Sequence, residues 1–371
     1  MELVIDKDAL AAAIALPCRM AVKKSPVPIF AHVRLTSDAG LTVDGTDAYR
    51  TARSTAEAKR GEAGALCVSG AQLLGAVGRL PAGEVRFRTV ESGKQVMGVE
   101  VRAGAAKLRL PAMSADEWPA IATEPEKWKP VPGAAVTAAL AARYAVSTDF
   151  TREHLFGMQL EIGAGRVRGV GVDGHRLAIH DIAGPKGAVA NVFIPAPSIG
   201  DVLALVDGVE SVEWGTLNNR VYWRAGSTVF SYVLPGSAFP PYEKIIPGER
   251  NLVRVNRTRL LAALDIASMV KQGRGGTKEE KDKCGDGLLF SVKEGQLRIS
   301  AQDPDQGEAE DVVDVDSAHT TAEPIGVSAH YMKQAVQSQS DEEIVLDISD
   351  PLDAVVVRGT DRICVVMPMR V

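Results

Sequence analysis

The feature that most restricts this chain is that it repeats itself three times. Residues 9–22 (ALAAAIALPCRMAV), 135–148 (AVTAALAARYAVST) and 259–272 (RLLAALDIASMVKQ) are Ala/Leu-rich stretches with apolar residues at helical spacing. After each comes a strand-like run ending in an acidic turn: 41–47 (LTVDGTD), 167–173 (VRGVGVD) and 297–303 (LRISAQD). A second helical stretch and a strand complete each block, at 69–80 and 84–90, 196–206 and 211–214, and 328–337 and 343–348. The run Val85-Arg-Phe-Arg-Thr-Val90 shows the alternation of a half-buried strand. The turn aspartates Asp47, Asp173 and Asp303 fall about one third of the chain apart. Ordered elements at a fixed interval mean one supersecondary unit used three times.

The expected fold is therefore α+β, with three domains at 1–125, 126–250 and 251–371. Each should pack two helices on one side of antiparallel sheets. The joints near 123–132 and 247–253 are rich in proline and charge, as linkers are. A chain of 371 residues is too long for one ordinary core, which agrees.

Charge is unevenly spread. Taken alone, the net charge of −5 argues against a nucleic-acid binder, which usually shows a basic footprint. The first third carries a slight excess of Lys and Arg, the middle is balanced, and the last third is strongly acidic. Basic patches can thus coexist with an acidic whole. The four cysteines, Cys18, Cys67, Cys284 and Cys364, form no C-x-x-C pair and no zinc spacing, and suit a reducing compartment. The N-terminal MELVIDKDAL lacks the basic and apolar regions of a signal peptide. No run approaches the roughly 18 apolar residues of a membrane span. A cytoplasmic protein without metal or cofactor is expected.

Four segments carry a resemblance. Gly171-Val-Asp-Gly-His-Arg-Leu-Ala178 is similar to a T-D-G-H-R-L-A turn. Phe239-Pro-Pro-Tyr-Glu-Lys-Ile-Ile-Pro247 is similar to F-P-D-Y-x-x-hydrophobic-x-P. Asp303-Pro-Asp-Gln-Gly-Glu-Ala-Glu310 is similar to N-P-E-Q-E-E-A-E, and the terminal Val365-Val-Met-Pro-Met-Arg-Val371 to V-V-M-P-M-R-L. All four belong, in this order, to the β subunit of bacterial DNA polymerase III, the sliding clamp family, which this chain resembles along nearly its whole length. The first third is the most divergent, yet Leu110-Pro-Ala-Met-Ser-Ala-Asp-Glu-Trp-Pro119 keeps the family's pre-linker pattern.

The resemblance implies a head-to-tail homodimer, a six-domain ring around duplex DNA with helices lining the hole. It implies a processivity factor without an active site. Its partners would be the polymerase III catalytic subunit, the clamp loader, and other polymerases and repair proteins with clamp-binding motifs. Those motifs would enter a hydrophobic cleft formed by Leu155, Val172, Gly174, His175, Arg176, Leu177, Pro240 and Ile245. The last domain would add Tyr331, Val365, Val366, Met367, Pro368, Met369, Arg370 and Val371. Adaptable methionines suit a site with several ligands.

Non-specific attraction to phosphates is what sliding needs, and Lys23, Lys24, Arg152, Arg254 and Arg274 are the candidates. The acidic run 303–316 holds seven Asp and Glu and no Lys or Arg. Its expected counterpart is a strand at 101–110 carrying Arg102, Lys107 and Arg109. The resemblance implies that these two segments are the sides of the subunit interface, which would involve Lys107, Leu108, Arg109, Leu110, Val270, Asp305, Glu308 and Glu310.

Two other readings compete. Asp173, His175 and Arg176 could suggest acid–base chemistry, but no nucleophile or metal motif stands at a recognised spacing. His175 and His180 lack the glutamate and spacing of a zinc helix. A specialised clamp copy from a phage or plasmid, or one conferring antibiotic tolerance, is the alternative within the family. Val172, His154 and Ser328 depart from the usual residues, and 271–286 is a long charged loop.

Overall fold

The computed structural model describes all residues except 23–24, 93–94, 121–122, 272–286, 304–305 and 371. The first copy of the repeat runs β1 (Glu2–Asp6), α1 (Lys7–Met20), β2 (His32–Ser37), β3 (Leu41–Thr46), β4 (Arg50–Ala56), β5 (Lys59–Glu62) and β6 (Gly64–Ser69). It closes with α2 (Gly70–Val77), β7 (Glu84–Ser92), β8 (Gln95–Ala103), β9 (Ala106–Leu110) and β10 (Ala112–Ser114). The second runs β11 (Lys129–Pro132), α3 (Gly133–Ala139), β12 (Gly157–Gly163), β13 (Arg166–Val172) and β14 (Arg176–Ala183). It continues through β15 (Ala190–Pro195), α4 (Ala196–Val206), β16 (Ser211–Leu217), β17 (Arg220–Ala225) and β18 (Thr228–Val233). The third runs β19 (Leu252–Asn256), α5 (Arg257–Ser268), β20 (Gly287–Lys293), β21 (Gln296–Asp303) and β22 (Gly307–Asp314). It ends with β23 (Ile325–Ser328), α6 (Ala329–Gln337), β24 (Glu343–Asp347), β25 (Val355–Arg358) and β26 (Arg362–Val366).

Local chemistry sets the helix starts. Asp6 accepts from the amides of Asp8 and Ala9, and Asn256 accepts from Arg259, at the same place in two copies. Ser69 and Ser328 cap the second helix of the first and third copies in the same way. Such caps satisfy amides that have no partner inside the helix.

Three elements differ from the sequence expectation. The stretch 135–148 is α-helical only to Ala139 and tightens into a 3-10 helix over Leu140–Ala145. Here the helix backbone rests on the sheet. A Cβ on Gly169 would fall 2.0 Å from the Ala139 carbonyl oxygen, and one on Gly171 2.6 Å from that of Ala142. The stretch 259–272 is α-helical to Ser268 and 3-10 over Met269–Lys271, and Gln272 lies outside the described residues. The expected strand at 101–110 is a hairpin: Val101 lies near the end of β8, and the chain turns at Gly104 (φ 53°) into β9.

The chain forms two compact units, residues 1–137 with 197–234, and 138–196 with 235–371. The cut runs through the middle copy because both neighbours share a sheet with it. In the first unit a nine-stranded sheet, β10-β6-β2-β3-β4-β18-β17-β16-β11, joins the first and middle copies through β4 and β18. In the second an eight-stranded sheet, β15-β12-β13-β14-β26-β25-β24-β19, joins the middle and third copies through β14 and β26. Backbone hydrogen bonds cross these seams as they cross any ladder.

Both seams use one register. Arg50 faces Tyr232 and Ala52 faces Phe230, while Arg176 faces Val366 and Ala178 faces Cys364. A five-stranded sheet, β5-β1-β7-β8-β9, completes the first unit, and a four-stranded one, β22-β21-β20-β23, the second. Their apolar faces bury Leu3, Phe87, Val99 and Val101 in the first and Leu288, Phe290, Leu297 and Ile299 in the second. Burying each such side chain contributes about 1.5–3 kcal/mol.

Candidate functional site

The proposed cleft residues described by the structure lie in the second unit, around the turn between β13 and β14. Gly174 adopts φ +94°, a conformation that favours glycine. Asp173 Oδ1 accepts the amides of His175 (2.8 Å) and Arg176 (2.9 Å), and its Oδ2 accepts Arg176 Nε at 2.9 Å. The aspartate thus holds the turn and is committed to it.

Arg176, also a proposed cleft residue, is largely buried. Its side chain is only 10% exposed. It donates to the Tyr144 carbonyl (2.6 Å) and to Gln334 Oε1, and its guanidinium lies 4.4 Å from the Tyr331 ring centroid. It spans the joint between the middle and third copies. His175, by contrast, is exposed and lies nearly parallel to Tyr331, with centroids 6.4 Å apart.

Beneath the turn lies an apolar floor. Leu155, Val172, Leu177 and Val365 are all buried in one cluster with Val170, Ile179, Tyr242 and Val356. Val366 faces Arg176 in the seam ladder and is also buried. These residues form the wall and base of the site. Its exposed rim is His175, Ile245 (43% exposed) and Met367 (41%). The C-terminal tail is fixed by Met367 N donating to His175 O (2.9 Å) and Met369 N to Gly326 O (2.8 Å). Pro368 and Met369 are half-buried and Arg370 is exposed, while Val371 lies outside the described residues.

Pro240 and Ile245 flank Tyr242, which anchors their segment. Its hydroxyl donates to Glu161 (2.6 Å) and accepts from Arg168 (3.3 Å). Arg168 in turn makes a bidentate pair with Asp181 at 2.6 Å. Burial, followed by the hydrogen bond to Glu161, pushes the Tyr242 phenol well above its ordinary range. Tyr242, Glu161, Arg168, Asp181 and Tyr144 position the site, yet none was a sequence candidate. Only Tyr242 had a signal, its place in the F-P-P-Y segment.

Of the proposed DNA contacts, Arg152 and Arg254 lie among the described residues. Arg152 is about half exposed and lies 3.4 Å from Asp149. Arg254 lies on β19 between buried Val253 and Val255 and is itself exposed. Lys23, Lys24 and Arg274 lie outside the described residues.

Of the proposed interface residues, Lys107, Leu108, Arg109 and Leu110 lie on β9 and Glu308 and Glu310 on β22, each the last strand of its sheet among the described residues. Leu108 is 36% exposed and Leu110 half-buried. Lys107 pairs with Glu100 at 2.9 Å and Glu310 with Arg298 at 3.0 Å, while Arg109 and Glu308 are exposed. Val270 is 8% exposed and packs within its own copy, beside β21 and β22. Asp305 lies outside the described residues. Among the described residues no helix is long and apolar enough to cross a membrane, and no three His, Cys, Asp or Glu residues form a metal-binding group.

Known proteins give a consistent answer. Residues 1–122, 136–241 and 243–370 match the N-terminal, central and C-terminal domain models of the DNA polymerase III beta subunit. The beta sliding clamp of Pseudomonas putida is 25% identical over the whole of both chains, and that of Salmonella typhimurium 26% over 93% of each. Crystal structures of the sliding clamps from Pseudomonas aeruginosa (23% identity, TM-score 0.87) and Bacillus subtilis (21%, 0.88) share the fold across the full chain, covering 100% and 99% of those chains. With all three domain models matched in order, this chain belongs to the DNA polymerase III beta subunit family, the beta sliding clamps.

Proposed function

We propose that two copies of this chain join head to tail in a six-domain ring that slides on duplex DNA and tethers polymerases and other partners to it. One observation carries the assembly. Each copy of the repeat offers two kinds of edge, β4, β14 and β22 of one kind and β9, β18 and β26 of the other. Inside the chain β4 takes β18 and β14 takes β26, leaving β22 and β9 as edges. An unpaired edge is a template for another strand. A head-to-tail contact that closes makes a ring.

The ladders give the register of that third seam. Within their sheets, Ala52, Ala178 and Ala309 are equivalent, facing Gly45, Gly171 and Ala301. Leu108, Phe230 and Cys364 are equivalent likewise, facing Val101, Trp223 and Val357. The two internal seams join Ala52 to Phe230 and Ala178 to Cys364, so the third would join Ala309 to Leu108. Glu308 then meets Arg109 and Glu310 meets Lys107, two opposite-charge pairs on the outer face.

The test is a disulfide. Met367 donates a ladder hydrogen bond to the His175 carbonyl, so Ala178 and Cys364, three positions on, form a non-hydrogen-bonded pair with close side chains. Ala309→Cys combined with Leu108→Cys should therefore give a covalent dimer on oxidation, resolved on a non-reducing gel. Monomer alone, under conditions where the untreated protein is dimeric, would reject the register. The native cysteines Cys18, Cys67 and Cys364 are buried, and burial pushes the Cys18 and Cys67 thiols up to about 12.

The rim of His175, Ile245 and Met367 over its apolar floor supports a reversible peptide site for the polymerase III catalytic subunit, the clamp loader and repair polymerases. Lys23, Lys24, Arg152, Arg254 and Arg274 are the proposed phosphate contacts. Domain boundaries near residues 125 and 250 and a cytoplasmic setting belong to the same reading. The chain acts as a tether and not as a catalyst.

A further inference from the structure

The three turns that follow β3, β13 and β21 are equivalent, and comparing them separates the seams. In the first, Asp47 Oδ1 accepts the amides of Tyr49 and Arg50 and Oδ2 accepts Arg50 Nε. Arg50 then reaches α4, donating to the Pro197 carbonyl (2.9 Å) and to Asp201 (2.8 Å). Asp201 is almost fully buried and also holds Arg19 at 2.8 Å. In the second turn Asp173 aims Arg176 at α6, where Gln334 and Tyr331 receive it. Asp201 and Gln334 are each the sixth residue after Pro195 and Ser328, which close equivalent strands. One device thus crosses both seams inside the chain: an aspartate-braced arginine docked on the next copy's second helix.

The third turn carries no arginine from which such a device could be built. Asp47 and Asp173 sit opposite their arginines, each donating its amide to the arginine carbonyl, but Asp303 sits opposite Gly307. No Lys or Arg occurs anywhere in 303–316. The receiving position, sixth after Ser69, is Gly75, and α2 carries no acidic residue. A Cβ at Gly75 would meet only the tip of Arg79, at 3.4 Å, so close packing does not demand a glycine there.

We infer that Arg50 and Arg176 are interdomain latches, and that the seam between chains is built without one on either side. This rests on the head-to-tail pairing of β9 with β22. The internal seams are held by guanidinium groups only 22% and 10% exposed, whereas the outer seam relies on surface charge pairs. Salt screens exposed pairs strongly and buried ones weakly. The three seams should therefore differ in salt resistance, with the order written by two arginines and two glycines.

Hydrogen exchange on the full-length dimer tests this. From about 0.05 to about 0.5 M NaCl, amides of 106–110 and 307–314 should exchange about tenfold faster. Those of 50–56 with 228–233, and of 176–183 with 362–366, should change less than about twofold. In Arg50→Lys, which keeps the charge but loses the fork, and in Asp201→Asn, the 50–56 and 228–233 amides should become as salt-sensitive as the outer seam, with 176–183 unchanged. If the 50–56 ladder stays protected in both variants at both salts, the latch is refuted while the ring reading stands. If 106–110 and 307–314 resist high salt in the wild type, the missing latch has no consequence and the inference fails. If they are unprotected at every protein concentration, the pairing beneath it fails too.

Discussion

Reversing two charges on one edge is the sharpest perturbation of the proposed ring. In Glu308→Lys/Glu310→Lys, two attractive cross-strand pairs with Arg109 and Lys107 become repulsive. A directly opposed pair contributes about 0.2–1 kcal/mol and a like pair costs a similar amount, so each position changes by roughly 1 kcal/mol. Two positions per seam and two seams per ring give about 4 kcal/mol before competition. Competition is real, because Arg298 already holds Glu310 at 3.0 Å and Glu100 holds Lys107 at 2.9 Å. A net loss of about 2–4 kcal/mol follows, raising the dimer Kd about 30-fold to a thousandfold. Sedimentation velocity over a dilution series reads this directly. Adding Lys107→Glu/Arg109→Glu should recover at least about tenfold, since the pairs are restored with opposite sense. A reversed variant that dissociates at the wild-type concentration would refute the pairing.

Other expectations concern the cleft and the core. Truncation after Val366 should weaken binding of a clamp-binding peptide at least about tenfold with dimerisation unchanged, because it removes the Met367 rim and spares β26; unchanged affinity by fluorescence anisotropy would contradict the site. Arg176→Ala should lower peptide affinity by misaligning the His175 turn although no direct contact is proposed, and Arg176→Lys should rescue only part of it, the fork being lost. His180 is 1% exposed, and burial followed by the nearby Arg362 charge lowers its pKa from 6.5 to about 4. A lowered histidine value means that the unfolded chain binds the proton first, so stability is full above about pH 6.5 and falls as pH drops towards 4, by about 3 kcal/mol. Urea unfolding at pH 7 and 4.5 should show this drop in the wild type and a smaller one in His180→Gln; equal drops would remove His180 as the cause.

The architecture was legible because each repeat is written in local chemistry. Asp6, Asn256, Ser69 and Ser328 announce helix starts, and the acidic turns end strands at matching places. What the sequence concealed depends on distant partners. Arg176 is held by Gln334 and by the Tyr144 carbonyl, both remote in sequence. Tyr242 gains its meaning from Glu161 and Arg168, which no spacing singles out. One misreading had a usable cue: Gly104 marks the hairpin between β8 and β9. The early end of α3 follows from backbone pressed against Gly169 and Gly171, a contact that appears only in three dimensions.

The central claim is topological: the protein stays on DNA because it surrounds it. The direct measurement loads the protein onto nicked circular DNA with a clamp loader and ATP. The complex is then passed through a sizing column at high salt, before and after the circle is cut. Encirclement predicts retention on the closed circle despite the salt, and loss once the DNA has ends. Binding that salt removes from circle and linear DNA alike would instead mean surface attachment, and would contradict the ring.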